Sequence, residues 1–261
     1  FQTDTIVGKT ITYEDLKTQG MDGIFIATGV GVANYMGIPG EDLKGVYTAS
    51  EYLAKYNLMS PEELAEALPS LRGKRVAVIG GGNTAIDAVR TAIRLDAKQA
   101  TIVYRRSEEE MPARAEEIKH AREEGTEFFN LHNPVEYLGD ESGHVTAMRL
   151  ERMELGAPDE SGRRRPVATG EIITVPVDEV IICIGYSAST LVTKSMPELE
   201  VNKWGNIVVD EGKKTSMPDV YAGGDIVRGA ATVILAMGDG RRAATAMHQK
   251  LSGRIEEGAL V

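Results

Sequence analysis

The chain has 261 residues, 42% of them hydrophobic and 26% charged, which is the ordinary balance of a globular protein with enough length for one or two domains. A formal net charge of −10 argues against nucleic acid or an anionic membrane as partner, and no apolar run reaches the ~18 residues of a spanning helix. The single cysteine, Cys183, excludes an intrachain disulfide, a redox cysteine pair and an all-cysteine iron–sulfur site within this chain, and it fits a reducing, cytoplasmic setting.

The chain opens at Phe1 and reads as a piece of a longer polypeptide. Tyr13 to Leu16 suggests a short helix, and Ile24 to Ala27 a buried strand closed by Gly29. Two helical stretches follow, Ala49 to Asn57 and Glu62 to Leu68. The second carries a start signal, with Ser60 as cap, Pro61 at the first position and Glu63 three residues after the cap.

Lys74 to Gly80 predicts a strand, followed at once by Gly80-Gly81-Gly82-Asn83-Thr84-Ala85 and a helix to Leu95 with Ile86, Val89 and Ile93 on one face. Gly80, Gly82 and Ala85 occupy the three small-residue positions of a dinucleotide fingerprint. The first glycine permits the turn, the second lets backbone approach a pyrophosphate, and the third position lets helix and strand pack closely. Unpaired N–H groups at the helix start, with its positive dipole end, then face phosphate.

Ala100 to Tyr104 is the second strand. Ser107, with Glu110 three residues on, predicts a helix to about Glu124, and Glu127 to Leu131 is the third strand. Together these make a βαβαβ unit. Strands at Pro134 to Leu138, Val145 to Glu154 and Ile172 to Val177 follow, with Arg163-Arg164-Arg165 in a hairpin tip read as a solvated loop in preference to a binding patch. Asp178 to Gly185 repeats the pattern of Asp22 to Gly29, an echo suggesting two related nucleotide-binding units, one inserted in the other. Val220 to Asp225 is a last strand ending in Gly223-Gly224-Asp225. Ala230 to Leu251 is a long helix, with Val233, Leu235, Ala236, Ala243, Ala244 and Met247 able to face a core. Its internal Gly238-Asp239-Gly240 suggests close packing.

Arg105 and Arg106 follow the second strand, 25 and 26 residues after Gly80, where NAD-binding units place a ribose-binding acid. Guanidinium groups there suit the 2′-phosphate of NADP(H); the plainer alternative is two surface arginines balanced by Glu108 to Glu110. Asp225 could accept a ribityl hydroxyl, and the helix start after it could stabilise a reduced flavin. Glu117 is by default a solvated acid. The four histidines show no metal spacing, and no catalytic side chain and no metal ligand is named.

The stretches 80–90, 104–113, 123–125 and 222–233 together resemble the glutamate synthase small (beta) subunit. They also resemble its flavoprotein relatives: the large subunit of NADH-dependent ferredoxin:NADP oxidoreductase, sulfide dehydrogenase, and the NADPH-side module of dihydropyrimidine dehydrogenase. The resemblance implies an α/β fold of the two-dinucleotide-binding-domain flavoprotein type, a Rossmann-like NADP(H) domain inserted in a truncated FAD domain. The expected division is an FAD-domain remnant over 1–48, a helical connector over 49–73, the NADP(H) domain over 74–186 and the rest of the FAD domain over 187–261.

The resemblance places Ala27, Thr28, Gly29, Gly224, Asp225, Thr232 and Val233 at FAD. Around NADP(H) it places Gly80, Gly82, Asn83, Thr84, Ala85, Arg105, Arg106 and Gly185, with Glu117 near the cofactor. Relatives carry an earlier FAD fingerprint and a cysteine-rich cluster domain, and neither occurs here, so retention of FAD is in doubt. The implied activity is hydride transfer from NADPH to FAD. Electrons would pass onward to an iron–sulfur domain or a large-subunit-like partner outside this chain. The rival is an NADP(H)-binding module without FAD or turnover. A thioredoxin-reductase-like enzyme is disfavoured, because its cysteine pair is missing.

Overall fold

The computed structural model describes residues 1–60, 62–63, 70–158 and 162–253. They form two compact units, one of Ala33–Ile184 and one of Phe1–Val32 with Gly185–Val261.

The first unit is built on a five-stranded parallel sheet, ordered Val46–Thr48, Glu179–Ile182, Arg75–Ile79, Gln99–Tyr104, Glu127–Asn130. The central strand reads Val76-Ala77-Val78-Ile79 because both its faces are covered, and all four residues are buried. Val76, Val78 and Ile102 meet Ile86, Val89 and Ala92 of the helix Asn83–Arg94, all three fully buried. Ala77, Ile79 and Val103 meet Tyr137, Met148 and Leu150 of a three-stranded antiparallel sheet on the other face. Each large aliphatic side chain so buried stabilises by about 1.5–3 kcal/mol.

That antiparallel sheet runs His132–Gly139, Val145–Pro158, Arg164–Pro176, longer strands than the sequence pattern predicts. Its hairpin tip, residues 159–161, lies outside the described residues.

Three expectations change in this unit. Val46–Thr48, assigned to the flanking remnant, adds an edge strand to the sheet. The helix Ala49–Leu58, assigned to a connector, buries Tyr52 in the same core as the fingerprint helix. The helix expected from Ser107 is broken into a single turn, Glu108–Glu110, and a separate helix, Ala115–Glu123. The break is at Pro112, whose ring forces Met111 out of helical geometry, to φ −64°, ψ 127°. The Ser60 cap is present: Ser60 N–H donates to Glu63 at 2.9 Å and Glu63 N–H to Ser60 Oγ at 3.3 Å. Most of the helix it was expected to open, 64–68, lies outside the described residues.

The second unit pairs Ile24–Ile26 with Val220–Ala222 in parallel. Its core gathers Ile26, Val192, Met196, Ile207 and Ile226. Tyr13 donates to Asp219 at 2.7 Å and Lys17 pairs with the same carboxylate at 2.5 Å, fixing the first helix to the end of this sheet.

The long helix is Val233–Leu251. Its buried residues are Asp239, Ala243 and Ala246, so the expected core face is shifted: Val233 is 77% exposed, and Leu235 and Ala244 are exposed too. The close packing expected at Gly238 and Gly240 is also absent, since a Cβ at either would meet no atom within 4 Å. What is packed is the charged residue between them.

Candidate dinucleotide sites

The turn after the central strand needs glycine at two positions for internal reasons. Gly80 has φ +140°, and a Cβ there would stand 2.3 Å from the carbonyl oxygen of Cys183. A Cβ on Gly81 would stand 2.8 Å from the ring of Tyr104. Gly82 is different. It is extended backbone at φ −90°, and the nearest atom to a Cβ would be Pro112 Cγ at 4.0 Å. Nothing within the protein demands glycine there, whereas a pyrophosphate lying against the backbone would.

Gly82 caps the fingerprint helix without a side-chain bond, so the first N–H groups have no capping side chain, and Asn83 and Thr84 open the helix beside it. Ala85, fully buried, lets the helix lie on the strand. Gly185 follows the strand Glu179–Ile182 by three residues with φ +96°.

The segment after the second strand folds over this turn. Ala113 N–H donates to Gly81 carbonyl at 3.1 Å, and Arg114 N–H to Asn83 Oδ1 at 3.0 Å. The two arginines expected to act together are separated. Arg105 is exposed, while Arg106 is 6% exposed and donates from Nε to the Arg164 carbonyl at 2.7 Å. The hairpin arginines, expected as a solvated tip, are therefore part of this neighbourhood: Arg164 also pairs with Glu109 at 2.8 Å and with buried Glu110. Burial alone would raise the Glu110 carboxyl, but its bonds from Ser107 and Arg164 outweigh that and hold it below the usual range.

Glu117 sits on the helix Ala115–Glu123 and accepts from Arg90 at 2.7 Å, an ion pair between helices that Glu124 shares at 2.8 Å. Asp87, nearby on the fingerprint helix, is raised by burial and then by Glu117. Burial pushes the Cys183 thiol up, so it is no ready thiolate.

In the second unit, six of the seven residues expected at a flavin line one cavity of about 260 Å³: Ala27, Gly29, Gly224, Asp225, Thr232 and Val233. Thr28 does not line it; Phe25 and Ala236 do. The uncapped start of the 19-residue helix, at Thr232, opens into this cavity, placing its positive end there. Asp225 Oδ1 accepts from Ala231 N–H at 3.2 Å.

Behind the cavity lies a group the sequence did not single out. Asp239, fully buried, takes two bonds from Arg228 at 2.6 Å, one from Lys213 at 3.0 Å and one from Gly224 N–H at 3.2 Å. The Arg228 bonds hold its carboxyl far below the usual range despite burial. The signal available in the sequence was an acid inside a helix flanked by glycines. Arg228 and Lys213, distant in the chain, carry no local signal.

Among the described residues no group of three or more His, Cys, Asp or Glu could hold a metal, and no helix is long and apolar enough to cross a membrane. The geometry defines an α/β protein with a dinucleotide fingerprint in one unit and a second cavity at a strand–helix junction in the other. Residues 2–248 match the family model for pyridine nucleotide-disulphide oxidoreductases, and the chain belongs to that family.

It is 39% identical over 253 residues to the glutamate synthase NADPH small chain of Escherichia coli strain K12, covering 94% of this chain and 53% of that protein. It is 42% identical over 252 residues to the NADP+-dependent formate dehydrogenase subunit beta of Moorella thermoacetica, covering 95% and 34%. The chain thus spans about half the length of the glutamate synthase relatives it matches. FprA of Mycobacterium tuberculosis, solved with NADPH, superposes with a TM-score of 0.77 at 21% identity over 98% of this chain and 70% of its own. Thioredoxin reductase of T. acidophilum superposes with a TM-score of 0.66 at 24% identity over 88% and 66%. The fold is therefore that of these two-dinucleotide-domain flavoproteins, and the resemblance to the glutamate synthase small chain holds along nearly the whole chain.

Proposed function

We propose that this chain is the NADPH-handling part of a flavin oxidoreductase resembling the glutamate synthase small chain, working in the cytoplasm. It would receive hydride from NADPH on FAD and pass electrons to an iron–sulfur domain or large-subunit-like partner. The observation that carries the proposal is the contrast between Gly80 and Gly82: the first is glycine because the protein fills the space beside it, the second although the space is open. That is the shape of a backbone kept bare for a phosphate.

A bound flavin would supply the hydride acceptor. The residues of this chain supply the rest. Gly82, Asn83 and Thr84 present N–H groups to the pyrophosphate, and Ala85 sets the helix close. Arg105, exposed at the end of the second strand, meets the 2′-phosphate; Arg106 holds the turn from within. The site residues near the second cavity fit a flavin: the Gly223–Gly224 backbone lines it, Asp225 offers an acceptor to a ribityl hydroxyl, and the Thr232–Val233 helix start favours negative charge. Hydride transfer needs alignment and water exclusion rather than a protein acid or base.

The rival is a module that binds NADP(H) without FAD. A flavin absorption band in the purified chain separates the two.

Gly82→Val should abolish NADPH binding in a fluorescence titration while leaving the melting temperature within a few degrees, since a Cβ there stands 4.0 Å from its nearest neighbour, Pro112 Cγ. An unchanged titration would sink the assignment of this turn as the nucleotide site.

A further inference from the structure

We infer that Arg164, on the hairpin strand Arg164–Pro176, is a positioning residue that sets NADPH against NADH preference at the fingerprint site. This rests on the assignment of that site to the nucleotide and of Arg105 to the 2′-phosphate.

The sequence of the turn alone is ill suited to a phosphate dianion. Residues 105–110 hold two arginines and three glutamates, an excess of one negative charge. Charges this close act on one another within a single Debye length. The fold corrects the balance from outside the turn. Arg122 pairs with Glu108, and Arg164 pairs with both Glu109 and Glu110, so two cations from elsewhere reverse the sign.

Arg164 does more than cancel charge. Its backbone carbonyl takes the Nε–H of buried Arg106, and its guanidinium holds Glu110, which also accepts from Ser107. Tyr104 donates to the Glu110 carbonyl at 2.9 Å, so the strand end, the turn and the hairpin share one network. Arg164 thus turns the acids toward the hairpin and leaves exposed Arg105 as the cation of the turn that faces solvent. NADH, which lacks the 2′-phosphate, gains little from this arrangement, so the effect belongs to the ratio of the two affinities.

The test is equilibrium titration of NADPH and NADH, separately, on the full chain. Arg164→Gln should weaken NADPH about tenfold and NADH less than about threefold, as loss of a local charge predicts. Arg164→Lys, which keeps the charge, should hold the ratio within about threefold. Glu109→Gln alone is benign to the fold, its side chain being 84% exposed, and should move the ratio the other way, toward NADPH.

Equal losses for both nucleotides in Arg164→Gln, or no response of the ratio to Glu109→Gln, would overturn the inference. Arg105→Ala separates the levels. If it collapses the NADPH preference while Arg164→Gln does not, only the role of Arg164 fails. If Arg105→Ala leaves the preference intact, the 2′-phosphate assignment fails with it.

Discussion

Replacing Asp239 by Ala removes the counter-charge of a cation cluster built inside the second unit. Lys213, whose side chain is 11% exposed, then stands without its partner at 3.0 Å, and Arg228 loses two bonds of 2.6 Å. Breaking a buried pair by deleting one partner costs about 3–5 kcal/mol. The low end applies, because Arg228 is about a third exposed and water can take up its loss. The buried Gly224 N–H also loses its acceptor, about 1 kcal/mol more. The expected loss is therefore about 4 kcal/mol, read from urea unfolding of the chain. Asp239→Asn keeps the shape and an acceptor for Gly224, so about half that loss is expected.

The sign with pH follows from the depressed carboxyl. Its contribution is complete above the unfolded value of about 3.9 and fades as pH falls below it toward the folded value. Wild type and Asp239→Asn should therefore converge in stability as pH drops from about 4. A loss below about 1 kcal/mol for Asp239→Ala at neutral pH would refute the claim that the cluster is a structural support of the Gly224 turn.

Gly80→Ala should destabilise by about 3 kcal/mol or more in thermal unfolding, since its Cβ meets a carbonyl oxygen at 2.3 Å and its φ of +140° is strained for any side chain; a near-neutral result would contradict the tight strand crossing. Asp178 takes the Arg75 backbone N–H at 2.8 Å and its guanidinium at 2.9 and 2.6 Å, bonds that bring its carboxyl down to about 2. One third exposed, this pair is screened by solvent, so Asp178→Asn should cost only about 1 kcal/mol at pH 7. That difference should vanish as pH falls from about 4 to about 2, and a constant difference over that range would contradict it.

The nucleotide unit was largely legible because its signals are local. A four-residue apolar run, three glycines and a 3.6-residue period specify strand, turn and helix within twenty residues of one another. The residues that failed to declare themselves act across distance. Val46–Thr48 joins the sheet as an edge strand with no pattern of its own beyond three residues. The helix predicted from Ser107 failed for a reason the sequence did contain: Ser107 Oγ donates to the Glu110 carboxylate and not to the helix backbone, and Pro112 stops the helix one turn later. Arg164 was read from its neighbours, a Gly- and Arg-rich stretch, when its partners lie 54 and 55 residues earlier in the chain.

The flavin-side residues show the same division. Gly224, Asp225, Thr232 and Val233 could be grouped in the sequence because they fall in one short stretch, and they do line one cavity. What fixes that stretch was misread. Glycines inside a helix suggest contact with a neighbour, and Gly238 and Gly240 have none within 4 Å. The residue between them carries the contact, through charge: Asp239 reaches under Gly223, whose Cβ would stand 2.9 Å from its own, and accepts from Gly224. A hydrophobic-face reading of the helix could not find this, because the buried member of its central turn is the most polar one. In both units the turn proposed to face a cofactor is glycine backbone. In the second unit it is held from behind by an ion cluster, Asp239 with Lys213 and Arg228, whose members lie on different elements. Glycine backbone has no side chain with which to anchor itself, so the rigidity of the Gly223–Gly224 turn comes from partners on other elements.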